Sequence, residues 1–228
     1  MTFTCITSRG AEEWTVEVHS LLNAGWAGRR TEQVAAHARE LQGLGVAPPS
    51  RVPITIPLAR SLLTQDPEVE VYSPGSSGEV EYVLVVTGGR IGLTVGSDHT
   101  DREAERVSVE WSKRLYPNVV APIVWDLADV AAHVDDLRLR AWVREGGQWT
   151  PYQDAPLRDL LPPAYWLDRL ALPPRPAEAV VLFSGTVPTV AGSVRGGEGF
   201  RMSLEDPVLR RTIVHEYTLV PVTDPLAR

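Results

Sequence analysis

Apolar and polar residues alternate in short runs along most of this chain, a pattern typical of β-strands with one buried face. Trp14, Val16 and Val18 alternate with polar neighbours and predict a first strand, and residues 68–72 repeat the pattern. Residues 82–86, YVLVV, are apolar at every position. An uninterrupted apolar run of this length predicts a strand that is covered on both faces.

Two glycine pairs predict tight hairpins. Gly88-Gly89 separates residues 79–86 from residues 90–95, and Gly146-Gly147 separates 138–143 from 148–153. Further strands are predicted at 179–183, 200–204 and 213–220, a glycine-bearing loop at 21–28, and helices at 31–41, 101–115, 127–134 and about 165–170. The pattern therefore predicts a β-rich α+β fold with a mixed, rolled or barrel-like sheet and a few short helices. We expect one domain over 1–228, with a strand, loop and helix in 1–50 and the sheet core in 51–228.

Composition narrows the classes of function. The net charge of -7 and the lack of a basic run argue against nucleic-acid binding. No apolar run approaches the roughly 18 residues that a membrane span needs, and the N-terminal residues do not resemble a secretory signal. Cys5 is the only cysteine, so no internal disulfide can form. We therefore expect a cytoplasmic protein.

Glu79 and Glu81 are the first candidates for chemistry. Residues two apart on a strand point to the same face, and Val83 and Val85 continue that face into the apolar run. Two adjacent buried carboxylates require compensation, either by protonation or by a bound cation such as a divalent metal. The alternative is that both glutamates lie at an exposed strand entrance, as the similar triplet from Glu68 to Glu70 would.

Other polar residues join this pair by their position in the predicted fold. The hairpin returns Asp98 and His99 to the end where Glu79 enters, although Asp98 can also serve as a simple capping residue. His37 and Glu40, three apart on a predicted helix, form either a surface pair or a base oriented by a carboxylate. Lys113 is the only lysine in the chain, which indicates either a role for a compact ammonium group or an incidental surface lysine.

Four stretches together resemble the fumarylacetoacetate hydrolase family, in particular its short bacterial branch. They are HARE at 37–40, GEVEYVLVV at 78–86, GSDHTDRE at 96–103 and SGTVPTVAG at 184–192. In that order they are similar to the family's helical His-x-x-Glu, its metal-binding G-E-L-E-like strand, its N-D-x-x-x-R-D turn and its T-G-T-P-x-G-V-G loop. The resemblance covers roughly residues 22–222.

The resemblance implies a mixed β-roll domain of the fumarylacetoacetase C-terminal type, a homodimer, and a bound Mg2+ or Mn2+. It implies a small anionic carbonyl substrate, a 2-oxo or 1,3-dicarbonyl acid, whose C-C bond is cleaved through a metal-stabilised enolate. Glu79 and Glu81 would be metal ligands, and His37 with Glu40 would activate water. Lys113 would neutralise the substrate. The substrate would also be contacted by Thr186, Gly185 and His99.

Two positions depart from the family pattern. The lysine that the family places shortly before its metal-binding aspartate is displaced here, so Lys113 is an inexact match. The family places a metal-binding aspartate shortly before an Ala-Pro pair, and here Ala121-Pro122 is preceded by Asn118. The third ligand is then the Asn118 carbonyl oxygen, Asp98 or water. Isomerisation or decarboxylation of the same substrate class stays open, as does a catalytically silent dimer that binds a small acid.

Overall fold

The computed structural model describes residues 1–30, 32, 51–224 and 226. Within these residues strands dominate and helices are short. The strands are β1 Thr2–Thr7, β2 Gly10–Thr15, β3 Glu17–Gly25, β4 Ile54–Leu58, β5 Leu63–Thr64, β6 Glu68–Val71, β7 Ser76–Ser77, β8 Val80–Val86, β9 Ile91–Asp98, β10 Thr100–Asp101, β11 Asn118–Val120, β12 Ile123–Asp126, β13 Arg138–Glu145, β14 Gln148–Pro156, β15 Glu178–Phe183, β16 Gly199–Asp206 and β17 Arg211–Pro221.

The helices are α1 Arg102–Val107, α2 Val109–Ser112, α3 Leu127–Val130 and α4 Pro163–Leu167, with 3-10 helices at Arg60–Leu62, Ala131–Asp136 and Leu157–Asp159. No helix in the described part of the chain is long and apolar enough to cross a membrane.

Ten strands form one mixed sheet. Its order is β2-β1-β12-β9-β8-β15-β3-β4, and β11 joins it by pairing with both β9 and β5. The pairs β1 with β12, β3 with β15 and β5 with β11 are parallel, whereas β8 with β9 is antiparallel. A second sheet has the order β14-β13-β16-β17-β6. The mixed, strand-dominated architecture confirms the predicted fold class.

Strand β8 is buried at all seven positions because both of its faces are covered. Val83 and Val85 belong to an apolar cluster that draws on β1, β3, β4, β12 and β15, so one face of the large sheet packs against itself. Tyr82 and Leu84 belong to a second cluster, which includes residues of β13, β16 and β17 from the second sheet. The large sheet therefore curls around one core and carries the smaller sheet on its other side.

Both predicted hairpins are present, with β8 pairing with β9 and β13 with β14. The predicted loop at 21–28 is wrong for its first half, because Leu21 to Gly25 continue β3 and pair with β4. The single strand predicted around Trp14 is two strands that break at Val16, whose N–H bonds to the Met1 carbonyl. The sequence pattern also missed β1.

The helix predicted over 101–115 is divided into α1 and α2 at Ser108. The Ser108 backbone is extended (φ -158°, ψ 119°), and its hydroxyl accepts from the N–H of Trp111. A serine that caps a new helix competes with continuation of the preceding one. The break matters for the site, because the chain after α2 begins with Lys113.

Candidate metal centre

The hairpin of β8 and β9 brings three carboxylates together. Glu79, one residue before β8, exchanges two backbone hydrogen bonds of 3.1 Å with Asp98. Glu81 lies two residues further on the same face. One oxygen each of Glu79, Glu81 and Asp98 lies within 4.8 Å of the other two. The side chain of Asp98 is fully buried and Glu81 is 1% exposed, which rules out the solvated-entrance alternative for Glu81.

Two cations contact this carboxylate cluster, Glu79, Glu81 and Asp98. The Lys113 ammonium lies 2.6 Å from Glu79 Oε2 and 2.5 Å from Asp98 Oδ2. Arg102, in the first turn of α1, places Nη1 3.0 Å from Glu79 Oε1. Both oxygens of Glu79 are therefore paired with a positive charge.

Asp101 fixes the position of Arg102. Its Oδ1 accepts from the N–H groups of Glu103 and Ala104 and so caps α1, while its Oδ2 accepts from the Tyr116 hydroxyl at 3.0 Å. Arg102 Nε donates to Ser77 Oγ at 2.7 Å. Arg102 Nη1 also donates to Glu105 Oε2 at 2.9 Å, so the guanidinium is held at two points besides its contact with Glu79.

The three carboxyl groups have different proton affinities. Burial raises the pKa of Glu79, but the charges of Lys113 and Arg102 outweigh it and hold that pKa at about 2. Burial raises the pKa of Asp98 to about 6 against the effect of Lys113. For Glu81, burial and the nearby Asp98 charge raise the pKa well above its usual range. Glu81 is therefore the carboxyl group that holds a proton most firmly in the metal-free protein.

The carboxyl group of Glu81 is held by a backbone hydrogen bond from the 184–187 loop. Its Oε2 accepts from the N–H of Gly185 at 2.7 Å. Gly185 has φ of +88°, and a Cβ there would lie 3.0 Å from the Ala27 side chain. Both the conformation and the close approach require glycine. In this structure Gly185 therefore positions Glu81.

Hard oxygen donors are the ligands that Mg2+ and Mn2+ prefer, and the carboxylate cluster supplies three. Asp98 Oδ1 has no hydrogen-bond partner among the described residues, and the contact of Oδ2 with Lys113 lacks hydrogen-bond geometry. A buried carboxylate with a free oxygen is costly unless a ligand completes it. The donor set fits a divalent cation at Glu79, Glu81 and Asp98.

Asn118 lies directly beside Asp98, because the two residues are partners in the pairing of β11 with β9. Its Oδ1 accepts from Asn23 Nδ2 at 2.9 Å, and both side chains are fully buried. Asn23 Oδ1 and Asn118 Nδ2 find no partner in the described part of the chain. The expected amide oxygen of Asn118 is thus present at the site but engaged with Asn23.

His99 lies in a buried polar network behind the carboxylates. Its Nδ1 is 2.9 Å from the Tyr217 hydroxyl, and its Nε2 is 3.0 Å from Ser76 Oγ. The Tyr217 hydroxyl also contacts Ser97 Oγ, which accepts from the Glu79 N–H. Burial lowers the pKa of His99 to about 3, so the ring is neutral. Both ring nitrogens are engaged, and the network supports the backbone at Glu79.

Thr186 is held by its neighbours. Its hydroxyl donates to the Val80 carbonyl at 2.9 Å and accepts from Gln153 Nε2 at 2.8 Å. Gln153 Oε1 in turn accepts from the Val80 N–H at 2.9 Å. Thr186 and Gln153 therefore attach the 184–187 loop to the start of β8, next to Glu81.

The predicted dyad of His37 and Glu40 lies outside the described residues and stays a prediction. Sequence reasoning did not single out Arg102, Asn23, Gln153 or Tyr217. For Arg102 a signal existed, since the residue follows the capping Asp101 within the polar stretch after β9. The other three lie on distant strands with no local pattern that marks them.

A model of one protein family matches residues 24–217, which is most of the chain. The chain belongs to this family. Its description is "Protein of unknown function (DUF2848)". Among curated protein sequences, none matches this DUF2848 chain.

Solved structures similar to this DUF2848 chain share its fold. An apo 2-keto-3-deoxy-D-arabinonate dehydratase superposes with a TM-score of 0.63 at 14% identity, covering 91% of this chain and 74% of its own. The 2-hydroxyhepta-2,4-diene-1,7-dioate isomerase from Mycobacterium marinum gives 0.57 at 16% identity, covering 93% and 79%. The fumarylacetoacetate hydrolase of psychrophilic Exiguobacterium antarcticum gives 0.55 at 13%, covering 93% and 82%. At these identities the likeness shows the fold, which is the one that the motif resemblance implied.

Proposed function

We propose that this protein is a metal-dependent enzyme that acts on a small 2-oxo or 1,3-dicarbonyl acid. The observation that carries the proposal is the buried cluster of Glu79, Glu81 and Asp98, whose oxygens converge within 4.8 Å. The similar folds support it, since they include a dehydratase solved with magnesium and 2,5-dioxopentanoate, an isomerase and a hydrolase. We propose hydrolysis of a C-C bond, with isomerisation or decarboxylation as the alternatives.

Glu79, Glu81 and Asp98 would hold Mg2+ or Mn2+, with Asn118 next to them. A divalent cation bound there would supply Lewis-acid polarisation of the substrate's oxo group and a template for its orientation. Gly185 and Thr186 keep Glu81 and the start of β8 in place, and Arg102 fixes Glu79. The substrate contacts expected of Thr186, Gly185 and His99 stay predictions. We propose that His99 also supports the backbone at Glu79 as a neutral ring.

We propose that His37, oriented by Glu40, removes a proton from water for attack on a carbonyl carbon. Hydrolysis places the water oxygen on that carbon and leaves the electron pair of the broken C-C bond on the neighbouring carbon, which then takes a proton. Lys113, whose side chain is 9% exposed, would neutralise the substrate carboxylate.

A second candidate function rests on the ammonium of Lys113. Together with Arg102 it balances the charges of Glu79 and Asp98, so the cluster can exist as an internal ion network without a metal. In that case the protein would be a catalytically silent small-acid-binding dimer. Light scattering after size-exclusion chromatography tests the dimer, which both candidates share.

An activity panel tests the proposed function. Acylpyruvates, oxaloacetate and unsaturated 2-oxo diacids are assayed with Mg2+ and with Mn2+, using wild type, Glu81→Gln and Glu70→Gln. Glu70 belongs to a similar Glu-Val-Glu triplet but is exposed on β6, so it is the matched control. We expect turnover that requires metal, a loss of at least about a hundredfold in Glu81→Gln, and wild-type rates in Glu70→Gln.

A wild type that turns over the panel equally well after exhaustive chelation would refute the metal-dependent reading. Complete inactivity, together with no Mg2+ or Mn2+ binding at millimolar concentration, would favour the silent small-acid binder. His37→Ala with full activity would remove the water-activation role while leaving the metal site standing.

A further inference from the structure

Lys113 makes three close contacts with oxygen atoms. Its ammonium lies 2.6 Å from Glu79 Oε2, 2.5 Å from Asp98 Oδ2 and 3.0 Å from Thr100 Oγ1. The contacts with Glu79 and Thr100 are hydrogen bonds, and the contact with Asp98 is an ion pair without hydrogen-bond geometry. In this arrangement the charge of Lys113 is directed at the carboxylate cluster, with two carboxylates within 2.6 Å of its ammonium.

A divalent cation bound by the cluster would meet this ammonium at the same oxygens. Arg102 already contacts the other oxygen of Glu79. Adding two positive charges beside Lys113 in a buried site is strongly unfavourable, because like charges repel more strongly where water is excluded. The cation and the ammonium therefore compete for Glu79 and Asp98.

The attachment of Lys113 to the fold allows its side chain to leave. Lys113 follows the four-residue helix α2, in a turn rather than in a strand of either sheet. The residues after it, Arg114 and Leu115, are exposed. A lysine side chain has a flexible four-carbon stem, so its ammonium can swing without a change in the backbone.

We propose that Lys113 is an exchangeable counter-ion of the carboxylate cluster: its ammonium pairs with Glu79 and Asp98 in the metal-free protein, and metal binding releases it toward an anionic substrate. This inference rests on the proposed metal site. Lys113 would then have two roles, as the counter-ion of Glu79 and Asp98 without metal and as the partner of the substrate carboxylate with metal. Metal and anion binding are then coupled, and each raises the affinity for the other.

The wild-type protein itself provides a direct test. Because Lys113 is the only lysine in the chain, selective labelling with 15N-lysine gives a single side-chain ammonium signal in NMR. We expect a signal protected from proton exchange without metal. Titration with Mg2+ should shift the signal and speed its exchange with water. Lys113→Met assigns the signal by removing it.

Calorimetric titration with Mn2+ gives a second readout. We expect Lys113→Met to bind Mn2+ at least about tenfold more tightly than wild type, because the competing charge is gone. Lys113→Arg keeps the charge and should bind no more tightly than wild type. Arg114→Met removes a positive charge from the adjacent exposed position and should stay within about twofold of wild type.

The outcomes separate this inference from the proposed function. If Mg2+ binds to wild type and the ammonium signal neither shifts nor exchanges faster, Lys113 is a permanent ion-pair partner and the inference is wrong, while the metal site stands. Equal or weaker Mn2+ binding in Lys113→Met also contradicts it. If neither wild type nor Lys113→Met binds a divalent cation, the metal site and the inference both fail.

Discussion

Replacing Glu81 by glutamine separates two effects at the carboxylate cluster, the repulsion between its carboxylates and the binding of a metal ion. The change keeps the shape of the side chain and its acceptor for the Gly185 N–H, but it removes one carboxylate. In the metal-free protein that carboxylate is a buried group next to Asp98 and Glu79. In the metal-bound protein it would be a ligand. We therefore expect Glu81→Gln to change stability in opposite directions in the two states.

The repulsion between the carboxylates follows from the short distances between their oxygens. The three oxygens lie within 4.8 Å of one another, and two unit charges at that upper limit repel by about 3.5 kcal/mol at an effective dielectric constant of about 20. Lys113 offsets part of this, and protonation of Glu81 relieves more. We expect metal-free Glu81→Gln to be about 1 kcal/mol more stable than wild type at neutral pH. With metal at a hundred times its dissociation constant, wild type should gain about 2.7 kcal/mol and the variant much less.

The same residue sets a pH dependence. The pKa of Glu81 is raised in the folded protein by burial and by Asp98, so the folded state binds a proton that the unfolded state has lost. Metal-free wild type should therefore lose stability as pH rises from the ordinary glutamate pKa toward the raised one. Glu81→Gln should lack this contribution.

Urea unfolding of chelator-treated protein, with and without millimolar Mg2+, measures these differences. Glu70→Gln, at an exposed position of β6, is the control and should follow wild type in every condition. The expected signature is a reversal: Glu81→Gln is the more stable protein without Mg2+ and the less stable one with it. Equal stabilisation of both proteins by Mg2+ would refute the assignment of Glu81 as a ligand.

Three further substitutions test the surroundings of the cluster. Gly96→Ala should lower the free energy of unfolding, measured with urea, by about 3 kcal/mol. The reason is that its Cβ would lie 2.5 Å from an aromatic ring and 2.8 Å from a backbone carbonyl oxygen. Gly89→Ala is the control, because its Cβ meets nothing within 4 Å and should change the stability little. Tyr217→Phe should cost about 1–3 kcal/mol by the same measurement, since it leaves buried partners such as His99 unsatisfied. Asn118→Asp should raise the affinity for Mn2+ in calorimetry and lower the free energy of unfolding of the metal-free protein by about 2 kcal/mol. An unchanged Mn2+ affinity would place Asn118 outside the ligand set.

The hairpin explains why the centre of the site could be predicted. A glycine pair with apolar runs on both sides fixes the register of β8 against β9. That register places Asp98 opposite Glu79 whatever the rest of the chain does. The proximity of these carboxylates could therefore be predicted from a local sequence pattern. The burial of Glu81 could likewise be predicted from the apolar run that follows it.

The contacts made by distant segments could not be predicted in this way. Asn23 reaches Asn118 only because β3 joins the large sheet beyond β15 and β11 joins it at β9. The sequence pattern predicts a loop over residues 21–28 because Gly25 and Gly28 lie in that stretch. Lys113 was noticed for its rarity, but its partners depend on the helix break at Ser108. Such contacts follow from tertiary packing rather than from periodicity.

Charge balance connects the metal-free arrangement with the proposed metal-bound one. If Glu81 is protonated, the charges of Glu79 and Asp98 are balanced by those of Lys113 and Arg102, and these four groups sum to zero. Glu105 also contacts Arg102 but is partly exposed, and it is left out of this count in both states. If a divalent cation replaces the Lys113 ammonium and Glu81 loses its proton, three carboxylates face the cation and Arg102, and the cluster is neutral again.

Neutrality in both states predicts that binding of one Mg2+ releases close to one proton when Glu81 is protonated at the start. Calorimetry in buffers of different ionisation enthalpy measures this number. Glu81→Gln has no such proton to lose, so any residual binding should release close to none. An equal release from both proteins would mean that the proton comes from elsewhere and that Glu81 enters the metal reaction already charged.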